Sequence, residues 1–181
     1  ENGLGVELGS RVNFHSVYGS NISYNVNPFW RLNKFLTAYG VYGTSFKNPS
    51  LYQLYSPYGN LELTPENVKS FDLGFKYDDR NIGSQASIAY FQRNHENKIG
   101  FVNLNHPPYG GYENIDWQNA KGLEISLSKV FDKFSTSSNY TFLIGKFGSN
   151  GYEGENLLRR PKHQVNLSAD YALSEKLNLS L

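Results

Sequence analysis

Apolar and polar residues alternate along most of this chain. In residues 68–77, Phe71 and Leu73 share one face of an extended strand, while Asp72 and Lys76 share the opposite face. Successive side chains of a β-strand point to opposite faces, so this period of two predicts strands with one apolar and one polar side. The same period recurs in residues 4–15, 122–129 and 164–173.

The connections between these runs differ in length in a regular way. Tight polar turns are predicted at residues 31–34, 78–81, 132–133 and 174–176. Long segments rich in Gly, Pro, Asn and Tyr occupy the other connections, at residues 46–67, 97–114 and 147–162. Short turns at one edge of an up-and-down sheet and long loops at the other are typical of bacterial outer-membrane barrels, whose long loops are extracellular.

The composition is that of a protein that would cross a membrane with β-strands and not with helices. The 181 residues are 39% hydrophobic, and the sequence has no apolar run near the ~18 to 20 residues that a membrane helix needs. A barrel strand needs an apolar side chain only at every second position, so its average hydropathy stays low. We therefore predict an all-β fold: a transmembrane antiparallel up-and-down β-barrel in the bacterial outer membrane, represented here by an arc of about nine strands.

The period of two also assigns residues to faces. The residues predicted to face lipid are Phe71, Leu73, Phe75, Leu123, Ile125, Leu127, Val165, Leu167 and Tyr171. Those predicted to face the lumen are Asp72, Lys76, Arg93 and Glu124.

Charge and reactive side chains argue against several other functions. The net charge is +1, which leaves no basic footprint for nucleic acid. Cysteine is absent, and His15, His95, His106 and His163 lack the spacing of metal ligands, so no metal or cofactor is expected. No Ser/His/Asp arrangement is apparent, and paired carboxylates occur only in turns, so the chain is not expected to be an enzyme.

One segment carries a family resemblance. Residues 36–72, LTAYGVYGTSFKNPSLYQLYSPYGNLELTPENVKSFD, resemble the signature segment of TonB-dependent outer-membrane receptors, and within that superfamily they are most similar to vitamin B12 (cobalamin) receptors. Three further elements resemble the family in the same order: Gly122-Leu123-Glu124, Tyr140-Thr141-Phe142 and the Leu-Leu-Arg-Arg run of residues 157–160.

The resemblance implies a barrel of about 22 strands with a plug inside it. It implies active uptake of a large, scarce nutrient, cobalamin first and a ferric siderophore as the alternative, energised when TonB pulls on the plug. These residues contain no plug and no coupling motif, so residues 1–181 are expected to be a barrel-wall fragment of the C-terminal β-barrel domain. The expected partners are the rest of the barrel and its plug, TonB through that plug, outer-membrane lipid and lipopolysaccharide, and the barrel-assembly machinery.

The predicted loops supply the candidate substrate-binding residues. Tyr side chains offer flat amphipathic surface at low entropic cost. The candidates are Tyr52, Tyr55, Tyr58, Asn60, Tyr109, Tyr112, Trp117 and Arg159. A structural role competes with this interpretation, because Pro49, Gly59 and Pro65 indicate backbone constraints in the first loop, and Arg159 suits an ion pair with a neighbouring carboxylate.

Two other classes of protein fit the strand pattern. One is a closed eight-strand outer-membrane barrel acting as an adhesin or anchor, in which residues 4–15 would pair with residues 164–173. The other is an outer-membrane hydrolase, which would need a Ser/His pair at the rim. The receptor motifs argue against both.

Overall fold

The computed structural model describes residues 3–148, 154–157, 160–174 and 177–181. The described elements are β1 (Gly3–His15), β2 (Gly19–Arg31), β3 (Leu36–Lys47), α1 (Leu51–Tyr55), β4 (Glu66–Asp79), β5 (Ser84–Asn103), β6 (Gly110–Phe131), β7 (Phe134–Gly148), β8 (Glu155–Asn156), β9 (His163–Ser174) and β10 (Leu177–Ser180). None of the helices in these residues is long and apolar enough to cross a membrane.

The strands form one antiparallel up-and-down sheet. Its order is β1-β2-β3-β4-β5-β6-β7-β9-β10, and the two-residue β8 also pairs with β7. The predicted arc of nine strands is therefore confirmed. Among the described residues β1 pairs only with β2, and β10 only with β9, so the sheet is open and the eight-strand closure is absent.

The strand register separates an apolar face from a polar face. One row across five neighbouring strands consists of Phe75, Ile88, Ile125, Tyr140 and Val165. It lies on the face where large apolar side chains are exposed, which was predicted to face lipid and which we call the outward face. The next row, on the opposite face, contains Gly74, Ala89, Glu124, Thr141 and Gln164. All the residues predicted to face lipid share the face of the first row, and those predicted to face the lumen share the other, as the registers require.

Short turns close the predicted periplasmic edge. In the turn between β2 and β3, the side-chain oxygen of Asn33 accepts hydrogen bonds from the amides of Phe35 (2.8 Å) and Leu36 (2.9 Å). In the next turn of this edge, Asp79 accepts a bond from the amide of Asn81 (3.0 Å). Asn and Asp are favoured in such turns because their side chains replace a backbone acceptor.

The opposite edge differs from the predictions at two places. Only residues 16–18 connect β1 and β2, so this edge also contains a short turn. The predicted loop at residues 97–114 was wrong for most of its length, because β5 continues to Asn103 and β6 begins at Gly110. Asn97 has a positive φ of 53°, but the hydrogen-bonded ladder continues beyond it. Lys98 pairs with Ile115, and Phe101 pairs with Tyr112.

Packing is concentrated at this long-loop edge. The buried apolar residues of the described chain are Leu63, in the loop after α1, and Ile99, in the extended β5–β6 hairpin; their exposed fractions are 2% and 7%. Many large apolar side chains of the strands are exposed on the outward face, for example Leu73 at 54% and Leu167 at 75%. A single curved sheet has no second layer, so only the folded loops can build a small core.

Candidate substrate-binding site at the long-loop edge

A short helix starts the loop between β3 and β4. Ser50 accepts a hydrogen bond from the amide of Gln53 (3.2 Å), and the Gln53 side chain accepts one from the amide of Ser50 (2.9 Å). This reciprocal pair is a capping box, which satisfies amides that a helix N-terminus leaves without partners. It fixes the direction of α1 and brings Tyr52 to the neighbouring hairpin.

Four aromatic rings then meet in a cluster, which we call the tyrosine cluster: Tyr52, Tyr58, Phe101 and Tyr112. The ring centroids of Tyr52 and Tyr112 are 6.2 Å apart, those of Phe101 and Tyr112 are 5.3 Å apart, and those of Tyr58 and Phe101 are 5.6 Å apart. All three contacts are edge-to-face, with interplanar angles of 73° to 80°. Edge-to-face contacts are the favoured arrangement of aromatic pairs and hold each ring in place.

Asn114 fastens the loop to the β5–β6 hairpin. Its side-chain oxygen accepts from the amide of Thr64 (2.8 Å), while its side-chain nitrogen donates to the carbonyls of Thr64 (3.0 Å) and Asn97 (2.8 Å). The amide of Tyr112 also donates to the carbonyl of Tyr58 (3.0 Å). The bonds to Thr64 and Tyr58 join residues about 50 positions apart, and the bond to Asn97 lies within the hairpin, so the loop and the hairpin form one preorganised surface.

A buried charge lies where the loop returns to the sheet. Glu66 is only 4% exposed, and its carboxylate accepts a hydrogen bond from the Lys47 ammonium at 3.3 Å. Further down the polar face, Arg93 donates a hydrogen bond to Asp72 (3.0 Å). Phe101 and Arg93 are an even number of residues apart in β5, so their side chains lie on the same inward face of the sheet. The tyrosine cluster therefore lies at the long-loop end of this face.

The structure brings together three of the candidate residues and separates the others. Tyr52, Tyr58 and Tyr112 belong to the tyrosine cluster, and Tyr55 lies beside them on α1 with 71% of its surface exposed. Tyr109 is exposed at the hairpin tip (67%).

The remaining candidates have other surroundings. Asn60 stabilises its own loop, because its side chain accepts a hydrogen bond from the amide of Glu62 (2.9 Å). Trp117 pairs with Glu96 in the register and packs against Gly148, away from the tyrosine cluster. Arg159 lies outside the described residues.

Sequence reasoning missed Phe101 and Asn114. Phe101 bridges Tyr58 and Tyr112, and Asn114 holds the loop. Both fall in the segment that was predicted to be an irregular loop. The available signal was the alternation of Ile99 and Phe101 with small or polar residues, which is short and interrupted by glycines.

We predict that Asn114→Ala releases the loop from the hairpin without unfolding the sheet. The change removes the hydrogen bonds to Thr64 and Asn97, and at ~1 kcal/mol for each net bond it costs about 2 to 3 kcal/mol of local stability. Amide hydrogen exchange should therefore accelerate in residues 50–65 of the full-length receptor. Asn139→Ala, in the middle of β7, is the control and should leave that loop protected; equal exchange in both variants would contradict the role of Asn114.

The two faces of the sheet and its two edges together define a class of protein. The sheet has an exposed apolar outer face, a polar inner face, short turns at one edge and a preorganised aromatic surface at the other, as in the wall of an outer-membrane barrel. Over residues 2–180 the sequence matches the family described as TonB dependent receptor-like, beta-barrel, and the chain belongs to this family.

Several known proteins are similar to this chain in sequence or in structure. The iron-regulated outer membrane virulence protein of Vibrio cholerae is 27% identical over 193 residues, which cover 94% of this chain and 29% of that protein. The vitamin B12 transporter BtuB of the same species is 28% identical over 152 residues, which cover 82% of this chain and 19% of that protein. The crystal structure of the siderophore receptor PirA from Pseudomonas aeruginosa superposes with a TM-score of 0.78 and 25% identity, covering 98% of this chain and 33% of that one.

These comparisons place the chain in the bacterial outer membrane, in a family of receptors. The chain spans a third or less of the length of these relatives. The resemblance to TonB-dependent receptors that the sequence motifs indicated is confirmed at the level of the family.

Proposed function

We propose that this chain is a wall segment of a receptor that actively imports a large nutrient, and that the tyrosine cluster is part of its extracellular binding surface. The proposal is supported above all by the ring contacts that hold Tyr52, Tyr58 and Tyr112 together at the long-loop end of the inward face. A rigid aromatic surface binds flat ligands without a large loss of side-chain entropy.

A ferric siderophore is our first candidate for the substrate. The support is the likeness to PirA in fold and the 27% identity to an iron-regulated protein. Ring systems of an iron chelate can stack on exposed tyrosines such as Tyr52, which is 61% exposed. Cobalamin is the second candidate, because residues 36–72 resemble the cobalamin receptors and BtuB is among the relatives.

The remaining partners follow from the same proposal. The residues of the polar face, including Asp72 and Arg93, would contact a plug inside the completed barrel. TonB would act on that plug, and the open strands β1 and β10 would pair with the rest of the barrel. The barrel-assembly machinery would bind these edges only during insertion, because unpaired backbone groups are costly in lipid.

We predict that Tyr52→Ala weakens substrate binding about fivefold to tenfold in the full-length receptor. One exposed ring in stacking contact contributes roughly 1 kcal/mol. The measurement is a fluorescence-quenching titration with ferric enterobactin, and separately with cyanocobalamin.

Tyr171→Ala is the matched control. Tyr171 pairs with Phe134 at the short-turn edge, far along the strands from the tyrosine cluster, and its substitution should leave affinity unchanged. Unchanged affinity in Tyr52→Ala for a ligand that the receptor does bind would remove the tyrosine cluster from the site. Binding of neither compound would reject both substrate candidates.

A further inference from the structure

A second concave surface lies away from the tyrosine cluster. A cleft of about 580 Å³ is lined by residues of β5, β6, β7 and β8 and by Leu157, Arg160 and Lys162. Among the residues that the structure describes, its lining contains four cationic side chains, Lys121, Lys146, Arg160 and Lys162, and no aspartate or glutamate. None of the ion pairs found within the described residues uses any of these four cations.

The strand register places Lys121 and Lys146 of this cleft on the outward face of the wall. Gln92, Lys121 and Ile144 form one row, and all three line the cleft. Two residues further along the strands, Tyr90 and Leu123 occupy the adjacent row of the same face, which belongs to the apolar band. Lys121 and Lys146 therefore lie next to the apolar band, on its long-loop side, and Arg160 and Lys162, which precede β9, complete the lining.

The wall of the cleft has the features of a membrane interface. Trp117 also lines it and belongs to the same outward face, and a Cβ added to Gly154 would lie 2.2 Å from its indole ring. Tryptophan is enriched where the apolar core of a membrane meets its headgroups. Cations above this level and apolar side chains below it match an amphiphile that has an anionic head and acyl chains.

We propose that the cleft binds the phosphorylated sugar headgroup of a glycolipid in the outer leaflet. Lysine and arginine are the side chains that bind phosphate, and charge-assisted hydrogen bonds to phosphate are stronger than neutral ones. A volume of about 580 Å³ accommodates more than a single ion. The acyl chains would lie along Leu123 and its neighbours in the apolar band.

The proposal rests on the outer-membrane location of the family and is independent of the imported substrate. The test uses the full-length receptor in neutral detergent and measures binding of bisphosphorylated lipid A by native mass spectrometry. The variant is Lys121→Gln/Lys146→Gln. The control is Lys34→Gln/Lys76→Gln, which removes the same charge from the turn between β2 and β3 and from the polar face.

We expect the dissociation constant to rise about 30-fold in Lys121→Gln/Lys146→Gln, which corresponds to ~1 kcal/mol for each lysine near an anionic surface. The control should stay within about twofold of the wild type, and lipid A without phosphates should bind weakly to all three proteins. Heat-dependent mobility on gels checks that each barrel is folded.

Three results would overturn the proposal. Unchanged affinity in Lys121→Gln/Lys146→Gln would show that the cleft does not hold the headgroup. Equal binding of the phosphate-free lipid would show that the acyl chains alone account for the contact. Saturable binding of inorganic phosphate alone, lost in Lys121→Gln/Lys146→Gln, would identify a site for a free anion instead of a lipid.

Discussion

Replacing Ile125 with arginine is expected to lower the free energy of unfolding by ~2 to 4 kcal/mol in a lipid bilayer. Ile125 lies in the outward row between Ile88 and Tyr140, and the rows of Leu123 and Leu127 flank it on either side. An arginine in this row, between two apolar rows, must either lose its hydration or draw water into the bilayer. Denaturant titration of the full-length receptor folded in phospholipid vesicles measures the loss.

Ser126→Arg is the control for Ile125→Arg, because it adds the same charge to the next residue of the same strand. Ser126 pairs with Ser87 and Asn139 on the polar face, where it lines a cleft of about 420 Å³. We expect a change below about 1 kcal/mol there, since the lumen side of a barrel accepts polar side chains. Equal losses at both positions would show that the assignment of the two faces is wrong.

Gly122→Ala is expected to destabilise the barrel by about 3 kcal/mol, at the upper end of the usual cost of overpacking. A Cβ at this position would lie 2.0 Å from the carbonyl oxygen of Phe142 and 2.6 Å from the ring of Phe91. The ring could rotate, but the carbonyl belongs to the adjacent strand, so the ladder between β6 and β7 would have to shift. The loss should appear in the same denaturant titration.

Gly40→Ala is the matched substitution on β3. There the nearest atom to the added Cβ is Cγ of Pro28 at 3.5 Å, an ordinary van der Waals contact. We expect a change within about 0.5 kcal/mol, because surface substitutions without strain have small effects. If both alanines are tolerated equally, the close approach of Phe91 and Phe142 to Gly122 is not a constraint on folding. The glycine of the Gly-Leu-Glu element would then need another explanation.

The strands and their faces could be predicted because each depends on a local pattern. A period of two fixes which side chains share a face, as with Leu73 and Asp72, and a shift of one residue would expose Asp72 to lipid. The turns at Asn33 and Asp79 could also be predicted, because the side chain that stabilises each turn belongs to the turn itself.

The long-loop edge could not be predicted from local patterns. The extension of β5 and β6 depends on pairing between residues such as Lys98 and Ile115, and the loop conformation depends on bonds between Thr64 and Asn114, 50 positions apart. The helix α1 was also missed, although the Ser50 and Gln53 pair is a recognisable cap.

We propose that these residues form part of a receptor that imports its ligand with energy from TonB. The most direct measurement is uptake of radiolabelled ferric enterobactin, and in parallel of cyanocobalamin, by cells that carry the full-length receptor as their only receptor for that compound. The account predicts accumulation of one of the two compounds in cells with TonB and only surface binding in cells without it. Equal accumulation in both strains would indicate a passive pore, and the absence of both binding and uptake would contradict the assigned function.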